Sequence, residues 1–510
     1  MKQYYLGIEF GSTRVKAVLI DGEHRIVKSG DYTWKSSLEN GVWTYHMEDV
    51  QTGLRTAIRN LGELPGAVSA MGISGMMHGY LAFDKDWNLL APFRTWQNTM
   101  TGEAAEQLTA EFGFNIPQRW SIAHLYQAVL NGEAHVKNIA HITTLAGYVH
   151  YLLTGENVLG VGEASGIFPI DSEALDYDAA MLEKFDALIA KYGFAWTARS
   201  VLPKVLAAGQ AAGALTQAGS TFLDGLLPAG IPFCPPEGDA GTGMTATNAV
   251  APRTGNVSAG TSIFAMVVLE KPLSKVYQEI DMVTTPSGKP VAMVHCNNCT
   301  NDMNAWVSLL GETAKLFGAE VSTGELFTKL YQKSLEGDAD CSGVLTYNYM
   351  AGEGITHLDE GRPMVVRKPE SSFTLANFLR SQLYATMSTL KLGMDILAEE
   401  HVAIDSLTGH GGLFKTPVVG QKYMAAACRA PVTCMESAGE GGPYGMALLA
   451  SYLVQKQDGQ TLEQYLETEI FADVKRTTLA PDPEDEAGFD RYLSWYRSAL
   501  AAENAAVKAF

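Results

Sequence analysis

The chain is poor in cysteine, in basic residues and in long apolar runs, and each shortage removes a class of protein. Six cysteines are scattered through 510 residues, too few for a disulfide-stapled secreted scaffold. Free thiols in a reducing compartment follow, and the expected location is cytoplasmic. Lysine and arginine number 37 against 56 acidic residues, a formal charge of −19. No basic cluster stands ready to neutralise a phosphate backbone, so a general nucleic-acid binder is excluded. No run of about 18 residues is apolar and free of charge, which argues against a transmembrane helix. Met1-Lys2-Gln3-Tyr4 leads directly into a strand pattern, so no signal peptide is expected. What is present is core-forming material: 46% hydrophobic and 18% charged residues, enough for two to four domains at ~100–200 residues each.

The pattern along the chain mixes strands with helices, which implies α/β layers. Tyr4 to Phe10 and Val15 to Ile20 read as a hairpin around Gly11-Ser12-Thr13. A related strand, turn and strand recur at Gly255 to Ala259, Gly260-Thr261-Ser262 and Ile263 to Leu269. The two glycine-hydroxyl turns lie 249 residues apart (260 − 11), close to half the length, which reads as an internal repeat. The spacing predicts helices over Met47 to Leu61, Gly102 to Phe112, Tyr177 to Tyr192, Thr300 to Phe317 and Thr374 to Glu400. Short strands are expected at 67–74 and 403–407. The Pro- and Gly-rich stretch Pro228 to Gly243 is the expected junction between domains.

Several segments have the residue types that phosphoryl chemistry needs. In the first hairpin, Gly11 permits close backbone approach to an anion, and successive N–H groups in a tight turn make an anion-binding concavity. Ser12 and Thr13 add hydroxyl donors, Lys16 adds charge, and Glu9 is placed to hold a hydrated Mg2+. The bland alternative is an ordinary polar turn. Asp239, in Pro236-Glu237-Gly238-Asp239-Ala240-Gly241, lies in a glycine-rich loop before a helix expected from about Thr242. It can take a proton from a substrate hydroxyl or simply cap the helix. Met77-His78-Gly79 follows a strand, where a loop projects side chains toward a ligand, and Trp96-Gln97-Asn98 offers an aromatic platform and amides to a polyol. Gly411-Gly412 and Lys415 lie between a strand and a helix expected over Pro417 to Cys428. Gly439-Glu440-Gly441-Gly442 leads into a small-residue helix suited to close packing, and packing helices are expected after Ser451. Cys296-Asn297-Asn298-Cys299 has redox or zinc spacing but no second ligand pair beside it in the sequence.

In this order the segments resemble the FGGY family of carbohydrate kinases. The likeness is carried from Leu6 to Ala450 by the first turn, the His78 loop, Trp96-Gln97-Asn98, Gly238-Asp239-Ala240, the Gly260 turn and Gly411-Gly412. The His78 loop is similar to that of the family's xylulokinases and ribulokinases. The resemblance implies an α/β, two-domain actin-like ATPase (ribonuclease H-like) fold with a central cleft, divided at 1–245 for the sugar and 246–510 for the nucleotide. It implies ATP and Mg2+ as cofactors, a sugar as substrate, no nucleic-acid or membrane partner, and a homodimer as a common assembly. Asp239 is then the catalytic base and, with Glu9, a metal ligand. Met77, His78, Trp96, Asn98 and Asp239 bind the sugar. Gly11, Ser12, Thr13, Lys16, Gly260, Thr261, Ser262, Gly411, Gly412 and Lys415 bind ATP. The implied reaction is phosphorylation of a primary hydroxyl of a ketopentose such as D-xylulose, with another ketose, a polyol or a non-catalytic sugar-binding protein as alternatives. Three positions depart from the family pattern: Glu9 and Asn98 stand where aspartates are usual, and Met100 where an arginine is.

Overall fold

In a computed structural model, residues 3–435 and 441–509 are described. The readings made on Met1, Lys2, Gly439 and Glu440 fall outside them. The chain forms two compact units. The first comprises Met1–Pro252, Lys275–Val291 and Glu440–Val474, and the second Arg253–Ser274, Ala292–Gly439 and Lys475–Phe510.

The first unit is built on β1 (Tyr4–Phe10), β2 (Arg14–Asp21), β3 (Ile26–Thr33), β4 (Val68–Gly75) and β5 (Glu237–Gly238), in the order β5-β4-β1-β2-β3. β1 and β2, and β2 and β3, are antiparallel; β4 runs parallel to both β1 and β5. Alternation along β1 sends Leu6, Ile8 and Phe10 into one core with Val15, Ala17 and Leu19 of β2. Helix α1 (Met47–Arg59) covers that face through Val50, Leu54, Ala57 and Ile58.

The second unit repeats the plan. Its strands are β6 (Thr254–Ala259), β7 (Ile263–Val268), β8 (Pro290–Cys296), β9 (Ser406–His410), β10 (Val432–Met435) and β11 (Arg476–Leu479), in the order β8-β7-β6-β9-β10-β11. β6 and β7 are antiparallel, and β6, β9 and β10 are mutually parallel neighbours. Both units thus share the order third, second, first, fourth, fifth, with β11 added antiparallel to β10. The internal repeat read from the two turns is present as duplicated topology.

The expected junction at Pro228–Gly243 is corrected: this stretch belongs wholly to the first unit. Phe233 bridges Met71, and Glu237 pairs with Ser74, so its backbone is enlisted into the sheet. The following helix, α2 (Asp239–Ala246), starts three residues earlier than expected. Helix α3 (Leu375–Glu399) matches its expected span, and α4 is Val419–Cys428. The division also differs from a single cut at 245, because α5 (Gly441–Gln455) packs on the first unit's sheet. A Cβ at Gly7 would run into the backbone of Pro443 and Ala447, and one at Gly445 into Thr242. Glycine at these positions lets helix and sheet approach at backbone distance. After Ser451 the chain adds the strand β11 as well as the helix Pro483–Ala509. Among the described residues no helix is long and apolar enough to cross a membrane.

Candidate active site

Five of the candidate loops leave the C-terminal end of a strand: Gly11 after β1, Met77-His78 after β4, Asp239 after β5, Gly260 after β6 and Gly411 after β9. In open α/β sheets this is where ligands bind.

The first turn is oriented by its carbonyls. Trp34 Nε1 donates to the Gly11 oxygen at 2.7 Å, the Tyr45 hydroxyl to the Ser12 oxygen at 2.7 Å, and the Trp34 amide to the Thr13 oxygen at 3.1 Å. Across a trans peptide the following N–H points opposite to the carbonyl. The amides of Ser12, Thr13 and Arg14 are therefore directed away from Trp34 and Tyr45, as an anion cradle requires. Neither aromatic was singled out from the sequence. Each acts through a side-chain-to-backbone bond across 20 to 35 positions, which no local pattern records.

Asp239 is the first helical residue of α2; the N-cap is Gly238, in extended conformation, with no side-chain cap bond. Its carboxylate instead accepts from the Met77 N–H at 3.1 Å. Asp239 is therefore not the N-cap residue, although its carboxylate also meets the amides of Asp239 and Ala240 in the first turn, and the loop after β4 is tied to the acid after β5. Asp239 is exposed, yet crowding by protein pushes its pKa above the usual carboxylate range, against the pull of the Met77 amide.

His78 lies just inside the protein, 4% exposed, with φ of 71° in the left-handed region. Its Nδ1 is 3.0 Å from the Gly166 carbonyl, so Nδ1 carries the proton, and the ring stacks on Trp120. Tyr80 and Arg94 exchange backbone bonds in an antiparallel bridge. Two residues outward on either side of it stand His78 and Trp96. Trp96 is partly exposed and donates through Nε1 to the Ser12 hydroxyl at 3.3 Å. The structure thus gathers Ser12, Met77, His78, Trp96 and Asp239 around connected loops.

Asn98 is placed otherwise. It is 3% exposed; its Oδ1 accepts from Trp43 N–H at 2.8 Å, and its Nδ2 donates to the carbonyls of Trp43 (2.8 Å) and Thr95 (3.0 Å). In this structure Asn98 acts as a clamp, with its amide nitrogen and its carbonyl oxygen both bonded within the protein. An amide suits this two-way bond to Trp43, since it both donates and accepts. Met100 is exposed.

Glu9 shares a face of the sheet with its register partners Lys16 and Ser74. Its Oε2 is buried and completes no hydrogen bond. Burial first, then the charge of Asp239, push its pKa up to about 8, with Lys16 and the Ser74 hydroxyl pulling down. Two carboxylates that repel each other across a buried, unpartnered oxygen fit a divalent cation, and Mg2+ is commonly held by one or two carboxylates together with waters and phosphates. Among the described residues no group of three or more His, Cys, Asp or Glu side chains is arranged for a metal. Two further acids went unread in the sequence. Glu237 accepts the Glu163 N–H at 2.9 Å, both carboxyls are buried beside Gly238, and burial raises both. Their juxtaposition spans 74 residues and leaves no motif.

In the second unit the Gly260 turn is held as the first is. Thr300 donates to the Gly260 oxygen through N–H (3.1 Å) and hydroxyl (2.7 Å), and the Cys299 N–H donates to the Thr261 oxygen at 3.0 Å. Cys296 and Cys299 are buried free thiols, so the CxxC segment serves as a brace. Gly411, at φ 98°, packs so closely on Ala259 that a Cβ would collide with its carbonyl. The Gly260 and Gly411 loops are therefore neighbours, with Gly412 and Lys415 exposed beside them.

Two duplicated units with these turns define an actin-like ATPase fold. The family models for the N- and C-terminal domains of the FGGY family of carbohydrate kinases match residues 4–245 and 255–454. The chain belongs to that family. It is 22% identical to a xylulose kinase of Haemophilus influenzae over 96% of this chain and 99% of that protein. A glycerol kinase of Thermococcus gammatolerans is 26% identical over 36% of this chain, and the match spans 41% of that protein's length. Among solved structures, a xylulose kinase from Brucella ovis superposes with a TM-score of 0.79 at 20% identity, covering 98% of this chain and 99% of that one. A gluconate kinase from Lactobacillus acidophilus does so with a TM-score of 0.80 at 17% identity, covering 98% of each.

Proposed function

We propose that the chain is an ATP-dependent kinase that phosphorylates a primary hydroxyl of a ketopentose such as D-xylulose. The observation that carries this reading is the bond from the Met77 amide to Asp239, which fixes a carboxylate on the His78 loop and leaves it open to solvent. The relatives named for xylulose that match nearly end to end support the choice of acceptor.

In this mechanism Asp239 takes the proton of the attacking hydroxyl, and the Met77 N–H holds the carboxylate in place. His78 and Trp96 orient the acceptor, the imidazole as a hydrogen-bonding group and the indole as a face for carbon-bound hydrogens. In the first unit the amides after Gly11, with Lys16, offset charge on the phosphoryl oxygens, which is where most catalysis of phosphoryl transfer resides; in the second unit the amides after Gly260 bind nucleotide phosphate. Gly411, Gly412 and Lys415 form the surface for adenosine. Mg2+ would be held by Glu9 and Asp239 and supplies charge neutralisation at the phosphates.

The test is ATP consumption with D-xylulose, L-ribulose, glycerol and gluconate, run on the wild type and on Asp239→Asn. The amide keeps an oxygen for the Met77 N–H, so the melting temperature should hold. Loss of the base should lower turnover about 10²–10⁴-fold. A stable variant with wild-type turnover removes Asp239 from the chemistry, and turnover of glycerol or gluconate alone replaces the ketopentose.

A further inference from the structure

The brace behind the Gly260 turn ends on a side chain that none of the motifs contains. Glu353 is 1% exposed, and its Oε2 accepts from the Asn297 amide (3.0 Å), the Asn298 amide (3.3 Å) and Asn298 Nδ2 (3.2 Å). Asn298 Oδ1 in turn accepts from the Met350 and Ala351 amides at 2.8 and 3.0 Å, and Asn348 Nδ2 donates to the Cys299 carbonyl at 2.8 Å. The next two amides along the chain, those of Cys299 and Thr300, are the ones that reach the turn's carbonyls.

We infer that Glu353 is a positioning residue for nucleotide phosphate, acting through Asn297 and Asn298 on the amides that orient the Gly260-Thr261-Ser262 turn. The inference rests on the reading of that turn as part of the nucleotide site. A single buried oxygen gathers two backbone N–H groups, those of Asn297 and Asn298, together with Asn298 Nδ2, which also donates to the Ala351 carbonyl at 3.1 Å; orphaning the two N–H groups is costly enough to move a loop. If residues 297–300 shift, the turn carbonyls lose their anchors and the peptide planes between Gly260 and Ser262 are free to rotate. A displacement of about 1 Å in a site held by directional bonds costs on the order of 10²-fold. Burial raises the Glu353 carboxyl to about 7 while the Asn297 and Asn298 donors pull it down, as expected of an acid kept in the interior for its acceptor capacity.

The three substitutions that separate the possibilities are Glu353→Gln, Glu353→Asp and Glu353→Ala. Glutamine keeps an acceptor oxygen at the same reach, so ATP affinity should stay within about twofold. Aspartate withdraws the oxygen by one methylene and alanine removes it, and each should weaken ATP by about tenfold or more. The readout that a merely structural role would not move is the comparison with adenosine, which lacks phosphates and should bind all variants alike. Calorimetric titration with ATP and with adenosine, alongside the melting temperature, measures this. Should alanine fail to fold, the aspartate and glutamine pair decides. Equal ATP affinity in aspartate and wild type overturns the inference, as does a parallel loss of adenosine binding. A wild-type protein that binds no ATP overturns the nucleotide reading itself.

Discussion

Glu9 makes a quantitative prediction about protons. With a pKa raised to about 8 by burial and by Asp239, its carboxyl is protonated in about nine-tenths of molecules at pH 7 and about one-tenth at pH 9. A cation that uses this carboxylate must displace the proton first. Binding of Mg2+ with ATP should therefore release close to one proton from Glu9 at pH 7 and almost none at pH 9. The sign follows from the raised pKa: the ionised form becomes available as pH rises, so the Mg2+ concentration for half-maximal rate should fall between pH 7 and 9. Titration calorimetry in buffers of different ionisation enthalpy counts the protons, and Glu9→Gln supplies the reference. The variant has no proton to lose here, so the difference in slope between it and the wild type isolates Glu9 from ATP and Asp239. It should also need more Mg2+ for half-maximal rate at every pH. Identical proton counts at pH 7 for the two proteins would refute a metal role for Glu9.

Three further outcomes are expected. His78→Ala should weaken the acceptor by about 0.5–1.5 kcal/mol, one hydrogen bond's worth, and leave ATP affinity unchanged; a loss confined to ATP would move the sugar site off the His78 loop. Asn98→Asp should cost about 1–3 kcal/mol of stability, because a carboxylate cannot donate to the Trp43 and Thr95 carbonyls. Chemical denaturation measures it, and a neutral effect would count against the clamp. Gly7→Ala should cost about 1–3 kcal/mol through the collision with Pro443 and Ala447, read as a lowered melting temperature.

The parts of this molecule that could be read from its sequence are those where chemistry is local. A turn that must admit an anion needs glycine and hydroxyls together, so Gly11-Ser12-Thr13 and Gly260-Thr261-Ser262 stood out, and their spacing disclosed the duplicated plan. Residue type alone was incomplete at Asn98: an amide near a tryptophan looks like a polyol ligand, while its partners in this structure, the backbone groups of Trp43, lie 55 positions away. At Asp239 the sequence could not tell which residue caps the helix, and the extended conformation of Gly238 answers that part. Trp34, Tyr45 and Glu353 were invisible for a common reason. They act on backbone carbonyls and amides, which every residue possesses, so the partner leaves no mark in the sequence.

The return of α5 to the first unit has a consequence for how the protein is made. β1 and β4 leave the ribosome early, but the helix that closes on Gly7 and on Gly445's partner α2 is encoded after residue 440. Until then the face of the sheet that carries Gly7 and Gly72 has no cover. Synthesis therefore cannot complete the first unit before most of the second has been translated, and a chain truncated at residue 252 would lack a layer of its own core. Completion of the first unit ahead of the second, the order common for multidomain chains, is closed to this one, because the last layer of the first unit is encoded between segments of the second.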